Sequence, residues 1–255
     1  MKKSLLQQSI CTCIMLAMLS VIISCKKNDQ SGGTQSSSNS IKIPRPGAYT
    51  YHVHSSDGTD ADMINTISNQ RDSGNGKLET IVSVIDTSTT TSFIYADATN
   101  TSYWMNPPAT FWSALQSIRS QPGVTSVAVN GWPMFMTMKN QPVAGDALVF
   151  TGGPVTIHIE GVQDNMPVVD DWTMKYQNGS AIALNQSITT DAGTFVCTEW
   201  AYQVQTDFTA QAMGQTFSQS QILKDTVWYA PEVGMVKSRE TSPTATSETT
   251  LEKIQ

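Results

Sequence analysis

Positively charged side chains are scarce in this sequence. Its 255 residues hold 15 Lys and Arg against 21 Asp and Glu, a formal net charge of −6. Without Lys2 and Lys3, which lie in the leader described below, the net charge is −8. Nucleic-acid phosphates and anionic lipids are bound by clustered Lys and Arg, so the composition predicts no nucleic-acid partner and no basic lipid-reading patch.

Cysteine is nearly absent beyond the N-terminus. Three of the four cysteines fall within the first 25 residues, and Cys197 is the remaining one. A single thiol cannot form an intramolecular disulfide. The surrounding segment, Phe195-Val196-Cys197-Thr198-Glu199, has the pattern of a strand, in which cysteine behaves as a small apolar residue. We therefore predict a structural role for Cys197.

Recognisable catalytic motifs are also missing. The sequence contains no Gly-x-Ser-x-Gly motif and no glycine-rich, phosphate-cradling loop before a helix. Two acidic pairs, Asp60 with Asp62 and Asp170 with Asp171, could serve glycoside hydrolysis, but they are interpreted as solubilising turn residues. We predict that the protein is not an enzyme and has no cofactor.

Histidine is limited to three residues. His52 and His54 share one face of a predicted strand, and His158 shares a face with Glu160. If the two strands were neighbours, these pairs would make a four-ligand metal site. Each histidine lies on the polar side of an alternating strand, however, which is typical of a solvated sheet face. The sequence-based prediction is therefore no metal site.

The N-terminus has the pattern of an export signal with a lipid attachment site. A positive start is followed by a mostly apolar stretch from Ile10 to Ser24, too short for a comfortable transmembrane helix. Ile22-Ile23-Ser24-Cys25 resembles a bacterial lipobox. We predict a signal peptide over 1–24, lipidation of Cys25 and a polar, flexible tether over 25–42. Lys26 after the cysteine favours the outer membrane, so the predicted location is the cell envelope.

Residues 43–255 are predicted to form one domain made mostly of strands. Alternating apolar and polar residues recur along it, and Pro231 with Gly234 indicates a hairpin turn. Phe111, Trp112, Leu115 and Ile118 have helical spacing, and Pro122-Gly123 ends that segment. The predicted fold class is mainly β (α+β): a curved antiparallel sheet, or half-barrel, with one or a few helices packed on it.

Three motifs resemble a known group. These are Val143-Ala144-Gly145-Asp146, the segment from Ile188 to Phe195, and the segment from Val227 to Lys237, which contains Trp228-Tyr229-Ala230-Pro231. Their order resembles the TapB-like envelope lipoproteins of unknown function, most clearly over residues 140–255. Proteins of this kind are similar in shape to outer-membrane lipoprotein carriers, which implies a sheet curled around a helical plug. The resemblance implies no functional residue.

Large apolar side chains crowd residues 104–138. Methionine is flexible and polarisable and suits adaptable apolar cavities, although the same residues would also make an ordinary core. The predicted ligand-binding residues are Phe111, Trp112, Trp132, Phe135 and Met136. The predicted function is a membrane-anchored, non-enzymatic module for an apolar ligand or an envelope partner protein. The alternative is a surface glycan-binding or uptake-accessory lipoprotein, with Trp172 and Trp200 as exposed platforms.

Overall fold

A computed structural model describes residues 41–58, 60–85, 88–107 and 109–255. The predicted signal peptide, Cys25 and almost all of the predicted tether lie outside the described residues. Within them are one helix, α1 (Ala109–Arg119), and fourteen strands. The strands are β1 Gly47–Ser55, β2 Asp60–Ser73, β3 Gly76–Ile85, β4 Ser88–Ala96, β5 Asn100–Met105, β6 Val124–Asn130, β7 Met134–Lys139, β8 Ala147–Thr151, β9 Val155–Gln163, β10 Met166–Thr190, β11 Gly193–Ala212, β12 Gln215–Ala230, β13 Gly234–Thr241 and β14 Thr246–Ile254.

The strands form a closed antiparallel barrel, so the prediction of an α+β half-barrel is wrong. Twelve strands make the ring, in the order β10-β11-β12-β13-β14-β1-β2-β3-β4-β5-β7-β8. Closure depends on a short pairing between β8 and β10, in which Leu148 lies opposite Gly179 and Ala147 opposite Ser180. An open curved sheet would leave these two edges unpaired, and closing the ring removes them.

Strand β10 pairs with both β9 and β8, along different parts of its length. Its first part, Met166–Met174, pairs with β9, and its register against β11 shifts between Gln177 and Ser180. At Gly179 an added Cβ would meet the Ala201 carbonyl oxygen at 2.0 Å, so only glycine allows the two strands to approach this closely. Beyond this irregularity β10 pairs with β8 instead of β9.

The first part of β10 carries an extension outside the ring, because β9 and then β6 are added beside it. The helix forms where the spacing of its apolar residues predicted it, and it covers this extension. Its apolar face packs on the strands through a separate core made of Phe111, Leu115, Ile118, Ile157, Ile159 and Trp172. None of the described helices is long and apolar enough to cross a membrane. The helix is a cover for the extension, and no helix among the described residues lies inside the ring.

Alternation along the strands decides which side chains face the interior. Tyr49 and Tyr51 of β1 face inward and are fully buried, whereas His52 and His54 face outward. The registers continue this inner face from strand to strand, as in the row Glu79–Ile94–Tyr103–Met136 across β3, β4, β5 and β7. Asp60, Asp62, Asp170 and Asp171 all lie within strands, so their interpretation as turn residues is wrong.

Candidate functional site

One half of the barrel interior is filled by side chains. We call it the closed half: it lies at the end where residues 41–46 meet the ring, and Ile43 is buried in its core. Its inward-facing side chains are large and almost completely buried; they include Tyr49, Tyr51, Tyr103, Met138, Trp200 and Leu251. A twelve-stranded barrel is wider than the eight-stranded kind that side chains just fill. Aromatic residues and the N-terminal segment supply the additional volume.

The opposite half, the open half, is lined differently. It lies at the end where β4 begins and β5 ends. Several side chains there face inward by register yet remain partly exposed: Val53, Ile85, Phe150, Tyr176, Tyr202, Leu223, Asp225 and Glu240. Water therefore reaches the interior at this end of the barrel, whereas the large side chains of the closed half exclude it. The open half is therefore the candidate functional site.

Three aromatic rings form its apolar wall. The Phe150 ring centroid lies 5.1 Å from that of Tyr176 and 4.9 Å from that of Tyr202, and the two tyrosine rings are stacked at 6.4 Å. They project from β8, β10 and β11, close to the point where the ring closes. Such clusters bind apolar surface well because aromatic rings offer large areas at low entropic cost.

Two carboxyl groups face the same space. The register places Tyr202 of β11 opposite Asp225 of β12, and Asp225 opposite Glu240 of β13. Burial, and then the negative charge of Glu240, raises the pKa of Asp225 to about 8. Burial also raises the pKa of Glu240. Burial, and then the negative charges of Asp225 and Glu240, raise the pKa values of Tyr176 and Tyr202. Among the described residues neither carboxylate has an ion-pair partner, so this pair favours a bound cation or hydrogen-bond donor.

A cleft of about 470 Å³ opens at the same end of the barrel, between β4, the helix and the β6–β7 connection. Trp112 and Trp132 both line it, together with polar residues such as Thr90 and Asn106. The indole N–H of Trp132 is buried and has no hydrogen-bond partner among the described residues. A buried, unsatisfied donor costs free energy, and solvent in the cleft does not reach this one.

The five predicted ligand-binding residues lie in four different environments. Trp112, which is 46% exposed, and Trp132 share the cleft. Phe111 is buried beneath the helix. Met136 faces into the barrel, and Phe135, its neighbour in the strand, faces outward. Sequence reasoning missed Phe150, Tyr176, Tyr202, Asp225 and Glu240, because only the ring closure and the strand registers bring them together.

The two tryptophans named for glycan binding do not form exposed platforms. Trp172 is 3% exposed and Trp200 1%. An aromatic row does lie on the outer face of the barrel, where Phe93, Trp104 and Phe135 occupy opposed positions on β4, β5 and β7. Adjacent ring centroids in this row are 5.3 Å apart, and Trp104 is 39% exposed.

The histidines lie on the outer faces of two separate strands. His52 and His54 are on β1, which lies between β14 and β2. His158 and Glu160 are on β9, which lies between β10 and β6, so the two pairs cannot combine into one site. Each histidine instead faces carboxylates on its own or the adjoining strand. Cys197 is buried, and burial raises the pKa of its thiol to about 12, which leaves it unreactive at neutral pH.

Comparisons with known proteins identify relatives in fold. The profile of a family described as DUF3108-like matches residues 157–247. A crystal structure of a candidate lipoprotein from Parabacteroides distasonis is similar with a TM-score of 0.52 and 18% sequence identity, covering 82% of this chain and 95% of that one. A candidate exported protein from Bacteroides fragilis, described as having a YmcC-like fold, gives 0.50 and 17%, covering 84% and 99%. No curated protein matches the chain.

Proposed function

We propose that this protein is a lipid-anchored, non-enzymatic module of the cell envelope that binds an amphiphilic ligand in the open half of its barrel. The apolar part of the ligand would contact Phe150, Tyr176 and Tyr202. A donor-bearing or cationic head group would face Asp225 and Glu240. The observation that carries the proposal is the contrast between these inward-facing, partly exposed residues and the filled closed half.

The envelope location is supported by the sequence and by the relatives. The lipobox-like Ile22-Ile23-Ser24-Cys25 provides the anchor, and the two similar structures come from a candidate lipoprotein and a candidate exported protein. Residues 41–46 meet the barrel at the closed half, so the predicted tether joins the domain at the end opposite the proposed ligand site. Lys26 supports the outer membrane as the location.

Native mass spectrometry tests the proposed ligand. The full chain, extracted from its own membrane in detergent-free polymer nanodiscs, should retain a non-covalent ligand that is released on unfolding. Phe150→Ala with Tyr202→Ala should lose that ligand, because both changes remove the apolar wall. Trp104→Ala is the matched control, since it removes an equally large aromatic group from the outer face. Wild-type protein without a ligand, or equal loss in the control, would contradict the proposal.

A variant of the anchor tests the location separately. Cys25→Ser should abolish the incorporation of labelled fatty acid into the protein, because one thiol carries the predicted lipid. The barrel and its bound ligand should be unaffected in this variant. Unchanged fatty-acid incorporation would contradict the anchor while leaving the open-half site standing.

The glycan-binding alternative is favoured by one observation, the outer aromatic row Phe93–Trp104–Phe135. An exposed tryptophan flanked by two tilted rings offers apolar surface, on which the apolar face of a sugar ring could stack. A glycan array would test this: binding that Trp104→Ala abolishes and Phe150→Ala leaves intact would establish the outer row as the binding surface. An array without hits would remove this alternative.

A further inference from the structure

A second cluster of polar side chains lies on the outer face of the barrel, on β1 and β2. His52 and His54 project outward, because Tyr51 and Val53 between and beside them face the interior. The register of β1 against β2 places Asp62 directly opposite His52, and Asp60 directly opposite His54. Two imidazoles and two carboxylates therefore occupy adjoining positions on one sheet face, independently of the proposed ligand site.

Three potential ligand atoms converge on one point of this face. The Nδ1 atom of His54 lies 2.6 Å from Oδ1 of Asp60, and the Nε2 atom of His52 lies 3.4 Å from the same oxygen. One ligand atom from each of these residues fits within a mutual distance of 4.8 Å. Zinc bonds to nitrogen and oxygen of about 2.0–2.1 Å place tetrahedral ligands roughly 3.4 Å apart. Small side-chain rotations would reach that geometry.

Asp62 contacts the other ring nitrogen of His52. Its Oδ1 atom lies 3.1 Å from Nδ1 of His52, and this hydrogen bond raises the pKa of that imidazole. With Nδ1 held by Asp62, Nε2 of His52 is the atom left to face Asp60. A carboxylate that holds the remote nitrogen of a histidine in this way fixes the ring orientation and makes the imidazole a better metal ligand.

We propose that His52, His54 and Asp60 bind one divalent transition-metal ion, with Asp62 orienting His52 and water filling the remaining positions. Imidazole nitrogen combined with carboxylate oxygen suits Zn²⁺, Cu²⁺ and Ni²⁺ better than Ca²⁺ or Mg²⁺, which prefer all-oxygen sites. Two acids lie on the other side, on β14. The negative charge of Glu252 acts on His52, and Glu248, which lies opposite His54, does not compete. Its carboxylate is held by Lys237 at 2.5 Å and by Arg239 at 2.8 Å.

The third histidine provides a matched control. His158 also lies between carboxylates, with Nδ1 2.7 Å from Asp171 and Nε2 3.3 Å from Glu160. Glu160 in turn accepts a hydrogen bond from Ser126 at 2.9 Å. This cluster has one imidazole only, and both of its nitrogens already face carboxylates. It has similar charge and exposure but lacks the second nitrogen ligand.

Zinc titration of the full chain, without an affinity tag and after chelator treatment, tests the proposal. Calorimetry should show one Zn²⁺ bound per chain. His52→Ala, His54→Ala and Asp60→Ala should each weaken binding at least tenfold, and His158→Ala should leave the affinity unchanged. Asp62→Asn should weaken binding about 10- to 100-fold, the usual effect of removing an orienting carboxylate.

A spectroscopic signature separates this site from general attraction of cations by acids. With one equivalent of Cu²⁺, the paramagnetic resonance spectrum should show coupling to two imidazole nitrogens, and to one nitrogen in His52→Ala or His54→Ala. Circular dichroism should confirm that each exposed substitution leaves the fold intact. Absence of stoichiometric Zn²⁺ binding, or an equal loss in His158→Ala, would overturn the proposal.

Discussion

The closed and open halves of the barrel are built from the same strands with the same alternation, yet only one is filled. Trp200 and Tyr202 show the contrast most directly: they lie two residues apart on one face of β11, and Trp200 is 1% exposed while Tyr202 remains partly exposed. A ring of twelve strands encloses more volume than ordinary side chains occupy. The difference teaches that filling this barrel takes large aromatic side chains together with the N-terminal segment, and that the open half has aromatic residues without that segment.

Substituting these two residues tests the contrast with the largest expected effect. Trp200→Ala should lower the free energy of unfolding by about 3–5 kcal/mol, because it removes a fully buried ring and leaves a cavity. Tyr202→Ala should cost at most about half of that, since water already reaches this side chain. Urea denaturation at neutral pH measures both. Equal losses would show that the interior at Tyr202 is as filled as at Trp200.

A buried carboxyl group in the closed half provides the next test. Glu79 is completely buried, and burial raises its pKa from 4.5 to about 7, although Gln70 donates a hydrogen bond to it at 2.6 Å. A raised acid pKa means that the folded state holds the proton more tightly than the unfolded state. The contribution of Glu79 is therefore most favourable below pH 4.5, falls between pH 4.5 and 7, and stays constant above.

Glu79→Gln should remove this pH dependence. Relative to wild type, the variant should gain up to about 3 kcal/mol of unfolding free energy at pH 8 and little at pH 4.5, as the size of the pKa shift requires. Comparing the two proteins by urea denaturation at both pH values cancels the other titrating groups. A constant difference between the proteins across this range would contradict the raised pKa.

The local parts of the fold could be predicted from the sequence. The helix containing Phe111 and Leu115 and the hairpin around Pro231 both formed where spacing and turn residues placed them. Met134, Met136 and Met138 share one buried strand face, because side chains alternate along a strand. Each of these features depends on residues that are close together in the chain.

Closure of the barrel and the composition of the site could not be predicted in this way. The ring closes through two residue pairs, Leu148 with Gly179 and Ala147 with Ser180, between strands about thirty residues apart. No pattern in the local sequence shows which two strand edges will pair. The same is true of Phe150 beside Tyr202, and of Asp60 opposite His54, because both depend on register between strands. The prediction that Trp172 and Trp200 are exposed is also wrong, because composition indicates aromatic surface without showing which side of a sheet it occupies.

Titration of the open half gives the smallest expected effect and the sharpest comparison with Glu79. The pKa of Asp225, measured by carbon NMR, should be about 8, and it should fall in Glu240→Gln because a neighbouring negative charge is lost. It should stay above its ordinary value, since burial is the larger cause. The pKa of Glu79 should be unchanged in the same variant, because Glu240 does not contribute to it. A change in the pKa of Glu79 would mean that the two halves are not electrostatically separate, and an unchanged pKa of Asp225 would mean that Glu240 does not act on it. The expected result would show a carboxyl pair held close to neutrality at the end of the barrel that water enters.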